Sequence, residues 1–236
     1  MAAPTANAKG AADGFKAEKV MATQPNVKMA LSAYLEKQIE EIQVISGKKS
    51  DVVIHFADNT KTLTQNKNNK KPNMVNAHQI NRRCLEDLPV AFQGIASNIC
   101  LGQAKKRGTL KGQTREKFLC DYVPPCKEDS KNLARSAILG NEPEWQPDYM
   151  ILTYMENGII KKLLIEPMSS FLDAIDAAMY DTPEVGRAGT TLYICPEISM
   201  QRRGGKKDSR PDDIQFKFHT NDEILARHNF VEISLP

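Results

Sequence analysis

The sequence predicts an α/β fold, a central mixed β-sheet flanked by helices, in a single domain over residues 1–236. Three observations carry that reading. Helical spacing of apolar residues runs through 13–45. Short β-branched segments bounded by turn residues recur at 51–67, 148–166 and 190–219. No internal repeat and no clear linker divides the chain. Its 236 residues, 41% hydrophobic and 26% charged, suffice for one sizeable core.

Residues 1–12 read as a loose tail. From Asp13, a plausible N-cap, the residues Phe15, Val20, Met29, Leu31, Leu35, Ile39 and Ile42 form an apolar stripe, broken into two helices at Pro25. Ser46-Gly47-Lys48-Lys49 turns into a hairpin whose first half, 51–57, is apolar and β-branched. Its middle, Asp58-Asn59-Thr60, is turn chemistry, and its return runs from Lys61 to Lys67. Residues 68–81 are nearly all amide or basic and read as an exposed functional loop. Helices are expected over 82–104 and 128–139. A hairpin around Asn157-Gly158 and a helix near 169–180 follow, then late strands at 190–200 and 213–219.

Composition removes several function classes. The N-terminus lacks the apolar region of a secretory signal, and no apolar run approaches a membrane span. Cys84, Cys100, Cys120, Cys126 and Cys195 are odd in number and lack Cys-x-x-Cys spacing, which argues against a zinc site and fits reduced thiols in a cytoplasmic protein. The net charge of +3 conceals three basic stretches, 61–83, 105–117 and 202–210, which suggest a polyanion-binding face.

The hairpin carries the chemistry. Gln65 and Lys67 are two apart and so share a strand face. Asp51 joins them only if the turn is odd. A two-residue loop, Asp58-Asn59, would place Asp51 opposite Asn66 and on the other face. A three-residue loop ending at Thr60 would place it opposite Lys67. An Asp, an amide and a Lys together suit metal-dependent phosphodiester hydrolysis. The carboxylate holds a hard cation, and the lysine polarises water and stabilises the phosphate. Gln65 stands where a second carboxylate is expected, so Glu18 is the candidate that restores the missing charge.

Asp51 with Gln65-Asn66-Lys67 resembles the variant active site of type II restriction endonucleases of the PD-(D/E)xK superfamily, in particular the small GCGC-cutting enzymes. The resemblance continues through 13–19, 46–51, Gln79-Ile80-Asn81-Arg82, 200–205 and 214–217, in order along the chain. The middle, about 90–165, matches poorly. It implies a restriction-endonuclease-like core and a Mg²⁺-dependent enzyme that cleaves both strands of a short DNA palindrome and leaves 5′-phosphates. On that resemblance Asp51, Gln65 and Lys67 are catalytic, with Glu18 beside them, and Asp51, Gln65 and Asn66 hold the metal.

Amides and basic residues near the hairpin fit DNA contact on physical grounds. Lys70 and Lys71 suit phosphates, and Asn73, Asn76, His78, Gln79, Asn81 and Arg82 suit base edges or backbone. Met74 or Val75 suits a wedge between base steps, Arg202, Arg203 and Gly204, after Gln201, suit a phosphate or guanine contact, and Gln215 and Lys217 could reach the same groove. The resemblance implies duplex DNA as the partner, bound by a monomer or weak homodimer. Two other readings use the same residues: a structure-directed repair or recombination nuclease, and a DNA-binding protein without catalysis.

Overall fold

The computed structural model describes residues 6–69, 76–107, 125–186, 190–202 and 213–236, with backbone alone over 6–14 and 99–107. The chain begins with α1 (Ala6–Thr23), α2 (Pro25–Leu35), β1 (Ile39–Val44), β2 (Val52–Phe56), β3 (Lys61–Asn69) and β4 (Asn76–Cys84). It continues through α3 (Val90–Arg107), α4 (Lys127–Leu139), β5 (Tyr149–Glu156), β6 (Ile159–Pro167) and α5 (Met168–Ala177). It ends with β7 (Glu184–Val185), β8 (Thr191–Tyr193), β9 (Ile198–Arg202), β10 (Asp213–Thr220), α6 (Asp222–Leu225) and β11 (Val231–Ser234). These elements gather into two compact units. One is Met1–Asn76 with Asn141–Leu172 and Asn221–Pro236; the other is Ala77–Gly140 with Asp173–Thr220.

The first unit holds the mixed sheet, in the order β1-β2-β3-β5-β6-β11. Only β3 and β5 run parallel; the other pairs are antiparallel. Helix α1 lies against β1, β3 and β6, and α2 against β1. Met21, Val27 and Leu31 from the helices pack with Ile39, Ile42, Val52, Ile54, Phe56, Ile151 and Ile165 from the sheet. Pro25 starts α2, as its missing N–H permits at a first helical position. Gln24, just before it, fastens the helix junction to the sheet. Its side chain donates to the Ile160 carbonyl at 2.9 Å and accepts from the Ile160 amide at 2.9 Å.

Several expectations are corrected here. Helix α1 starts at Ala6, so 6–12 are helix rather than tail, and Asp13 lies inside the helix rather than at its cap. Phe15 and Met29 stay exposed; among the described side chains of α1, Ala17 and Met21, one turn apart, are the buried ones. Ile39 and Ile42 belong to a strand. Their three-residue spacing imitates a helix because the register of β1 against β2 shifts between Ile39 and Glu41, so one extra residue separates the two buried positions. The polar run 68–81 is strand on both sides of the undescribed residues 70–75. Asn68 and Asn69 pair with Thr153 and Tyr154, and polar side chains that find polar partners do not disturb a ladder made by the backbone. The Asn157-Gly158 hairpin forms as expected, with φ of 52° and 83° at the two turn residues.

Beside the core lies a buried polar cluster. The Glu166 carboxylate, fully buried, accepts from Ser170 Oγ at 2.7 Å and Asn229 N at 2.9 Å, and meets His228 Nδ1 at 3.0 Å. Burial alone would raise this carboxyl, but the hydrogen bonds from His228, Asn229 and Ser170 outweigh it and hold Glu166 below its ordinary value. Removing one partner leaves the others buried and unmatched. Glu166→Ala is therefore expected to cost about 3–5 kcal/mol, read as a lower urea midpoint at unchanged m-value.

The second unit carries a five-stranded sheet, ordered β4-β10-β9-β8-β7, that the sequence reading did not separate from the first. Helix α3 lies against β9 and β8. The unit's core includes Phe92, Ile198, Met200, Ile214, Phe216 and Phe218. Helix α4 starts at a capping box, with Cys126 Sγ accepting from Asp129 N and the Asp129 carboxylate accepting from Cys126 N.

Candidate active site

The turn between β2 and β3 has three residues, but not the three expected. Phe56 N donates to Thr60 O at 2.9 Å, so the loop is Ala57-Asp58-Asn59, with Asn59 left-handed at φ 64°. Asp58 Oδ1 accepts from Thr60 N at 2.9 Å and fixes the turn. Val52 then faces Thr64, which slides the ladder two residues from the predicted one. Parity survives such a slide, whereas the opposing residue changes.

Asp51 sits just before β2 begins. Its amide donates to Thr64 O at 2.9 Å, although Val52 already faces Thr64, so two residues oppose one as in a β-bulge. The bulge swings the carboxylate into the ladder. Asp51 Oδ2 accepts from Asn66 N at 2.8 Å, in the place of a strand carbonyl, and from Lys67 Nζ at 3.0 Å. The Lys67 side chain is 13% exposed and that of Asp51 23%, so bulk salt screens this pair less than a surface one.

Gln65 is buried. Its Nε2 reaches toward the Lys49 carbonyl at 3.5 Å, while its Oε1 is buried with no hydrogen-bond partner among the described residues. An orphaned buried acceptor costs free energy and calls for a functional explanation. Strand alternation turns the Asn66 side chain to the other face, where its Oδ1 accepts from Thr64 Oγ1 at 3.3 Å. The expected metal role of Asn66 is thus corrected for its side chain. Its carbonyl points to the same side of the strand as its N–H, toward Asp51.

Helix α1 brings Glu18 within electrostatic reach of this pair. Burial first, then the Asp51 charge, push the Glu18 carboxyl up to about 7, with Lys67 opposing them. The folded protein therefore binds a proton at Glu18 that the unfolded chain releases near the ordinary value of 4.5. Protons bound in excess by the folded state make stability fall as pH rises between those two values. Glu18→Gln is expected to flatten that part of the urea-midpoint profile of the metal-free protein; an unchanged slope would refute the coupling.

Asp148, just before β5, accepts from Thr62 Oγ1 and Leu63 N, both at 2.8 Å. It thereby sets the start of β5 against β3. Among the described residues no group of three His, Cys, Asp or Glu gathers that could hold a metal ion, and no helix is long and apolar enough to cross a membrane.

The residues proposed to read DNA lie elsewhere. Lys70, Lys71, Asn73, Met74, Arg203 and Gly204 fall outside the described residues; Asn76 opens β4. The others lie in the second unit. Gln79 Oε1 accepts from Arg82 Nη2 at 2.8 Å and from Gln215 Nε2 at 2.5 Å, and Gln215 in turn pairs across the ladder with Gln201. Lys217 follows Gln215 on the same face, half-exposed, and His78 packs its ring near Phe218. Two expectations are corrected. Arg202 is 1% exposed, because its parity places it with Ile198 and Met200 on the buried side of β9. The Asn81 amide is spent inside the unit, donating to Ala137 O and accepting from Arg82 N.

No protein-family model matches this chain, and no curated protein matches it. Among solved structures the chain is similar to restriction endonuclease MspI, determined in complex with its cognate DNA. The similarity spans 83% of this chain and 77% of that one, at 13% identity and a TM-score of 0.39.

Proposed function

We propose that the protein is a Mg²⁺-dependent endonuclease that hydrolyses phosphodiester bonds at a short palindromic site in double-stranded DNA and leaves 5′-phosphates. The observation that carries the reading is the Asp51–Lys67 pair with Glu18 in electrostatic reach, on the strand face that Lys67 shares with buried Gln65 and its partnerless Oε1. The carboxylates of Asp51 and Glu18 and the Gln65 amide offer only oxygens, which fits a hard cation. Asp51, Gln65 Oε1 and the Asn66 carbonyl would hold it, with Glu18 adding charge. Bound there, Mg²⁺ supplies charge neutralisation and a more acidic water.

The chain's own groups do the rest. Asp51 holds the Lys67 ammonium by a 3.0 Å bond, so the lysine is oriented before substrate arrives. Lys67 then donates to a non-bridging phosphate oxygen, where negative charge grows in the transition state. Asn66 N–H fixes the Asp51 carboxylate and keeps both groups in place. The exposed Gln79–Gln215 pair, with Arg82, suits base-edge contact.

Incubation with plasmid and Mg²⁺ tests the reading. Discrete fragments are expected, and sequencing their ends gives the site and the cut position. Cleavage confined to branched or damaged DNA would favour a repair nuclease. A gel shift with intact DNA would favour binding without catalysis, a reading that the amide at Gln65, in place of a carboxylate, makes worth the control.

A further inference from the structure

The parallel pairing of β3 with β5 extends the candidate site to residues that no motif marks. Lys67 pairs with Leu152 and Asn69 with Tyr154, so Tyr154 shares the face of Gln65 and Lys67. Asn69 ends β3 and Tyr154 lies near the end of β5, so both stand at the sheet end toward which Lys67 lies. Two residues along a strand and one strand across separate Lys67 from Tyr154 by about 8 Å at the backbone. That is comparable with the spacing of adjacent phosphates along a nucleic-acid strand.

The hydroxyl's chemistry is set by its neighbour. Asn69 Nδ2 donates to Tyr154 Oη at 2.8 Å, so the phenol oxygen is the acceptor there and its proton points elsewhere. No acceptor for that proton occurs among the described residues, and the ring is half-exposed. Beside it, Lys162 of β6 pairs across the ladder with Tyr154 and holds its ammonium 4.6 Å from the ring centroid. Glu232 accepts from Lys162 at 3.1 Å, in a pair exposed enough for a phosphate to displace. A second cation, Lys16 Nζ, comes up against Gly158 at the tip of the β5–β6 hairpin.

We infer that Tyr154 and Lys162 form a phosphate subsite beside Lys67, the Tyr154 hydroxyl donating to a backbone phosphate next to the scissile one and Lys162 supplying its countercharge. The inference rests on the nuclease reading, and its test separates the two.

Binding is measured by anisotropy of a labelled duplex containing the mapped site, in Ca²⁺ across a salt series, and cleavage is measured in Mg²⁺. Tyr154→Phe, which removes only the hydroxyl, is expected to weaken binding about 10- to 100-fold, the range for a hydrogen bond to a charged group. A neutral methylphosphonate at the adjacent phosphate is expected to weaken wild-type binding similarly and to add nothing to Tyr154→Phe. Lys162→Met is expected to lower the salt slope by about one, and Lys162→Arg to restore it. Urea midpoints show whether the variants fold. If Tyr154→Phe unfolds, the Lys162 pair and the methylphosphonate decide. Wild-type cleavage with none of these effects would overturn the subsite and leave the nuclease reading standing. A wild-type protein that neither binds nor cuts duplex DNA would overturn both.

Discussion

Lys67→Ala and Asp51→Asn are each expected to lower single-turnover cleavage at least about 10³-fold while duplex affinity in Ca²⁺ changes little. The asymmetry follows from the geometry. Asp51 and Lys67 are joined to each other and to one strand amide, at the single point where the proposed reaction would develop charge. Duplex affinity, by contrast, would come on the proposed function from many phosphate contacts rather than from this one pair. The choice of Asn at position 51 matters. Asp51→Ala would also leave the Asn66 N–H without its acceptor, and an unsatisfied buried donor costs about 1–3 kcal/mol. Asn keeps an oxygen for that N–H but removes the charge that holds Lys67 and that would bind the proposed metal. Asp51→Ala is therefore expected to lose both stability and activity, and Asp51→Asn mainly activity. Site-specific cutting by Asp51→Asn at near the wild-type rate would remove Asp51 from the active site.

Gln65→Leu is expected to abolish cleavage and yet leave the urea midpoint unchanged or higher. Gln65 Oε1 is buried and partnerless among the described residues, so the folded protein bears its desolvation without return. An apolar side chain of similar volume removes that cost. A residue kept only for packing would show the opposite sign. Gln65→Glu is the complementary change. It adds a carboxylate close to Asp51 and is expected to lower the half-saturating Mg²⁺ concentration for cleavage. Without metal the two acids repel, so Mg²⁺ should raise the midpoint of Gln65→Glu more than that of the wild type. A cleavage-competent Gln65→Leu would show that the orphaned oxygen has no part in the reaction.

Parts of the fold were legible because they depend on local chemistry. Pro25 starts α2, Asn157-Gly158 adopts the positive φ that its hairpin needs, and Gln65 with Lys67 share a face because strand side chains alternate. Other parts misled for equally local reasons. A bulge in β1 made Ile39 and Ile42 look helical, and a polar run at 68–69 and 76–81 looked like loop although its backbone pairs in sheets. Arg202 looked like a DNA contact by residue type, while strand parity, fixed by its pairing with Ile214, turns it inward.

By itself, then, the sequence determined which chemical groups the hairpin carries and which of them alternate to one side. Tertiary structure alone decided that the loop is Ala57–Asn59, that Asp51 enters β2 on a bulge and takes the Asn66 amide, and that α1 brings Glu18 toward it. It also set Tyr154, eighty-five residues away in the chain, beside Asn69. The physical reason is the difference in range. Alternation is a property of one strand's backbone, whereas register and strand neighbourhood are set by where every other buried side chain finds its place.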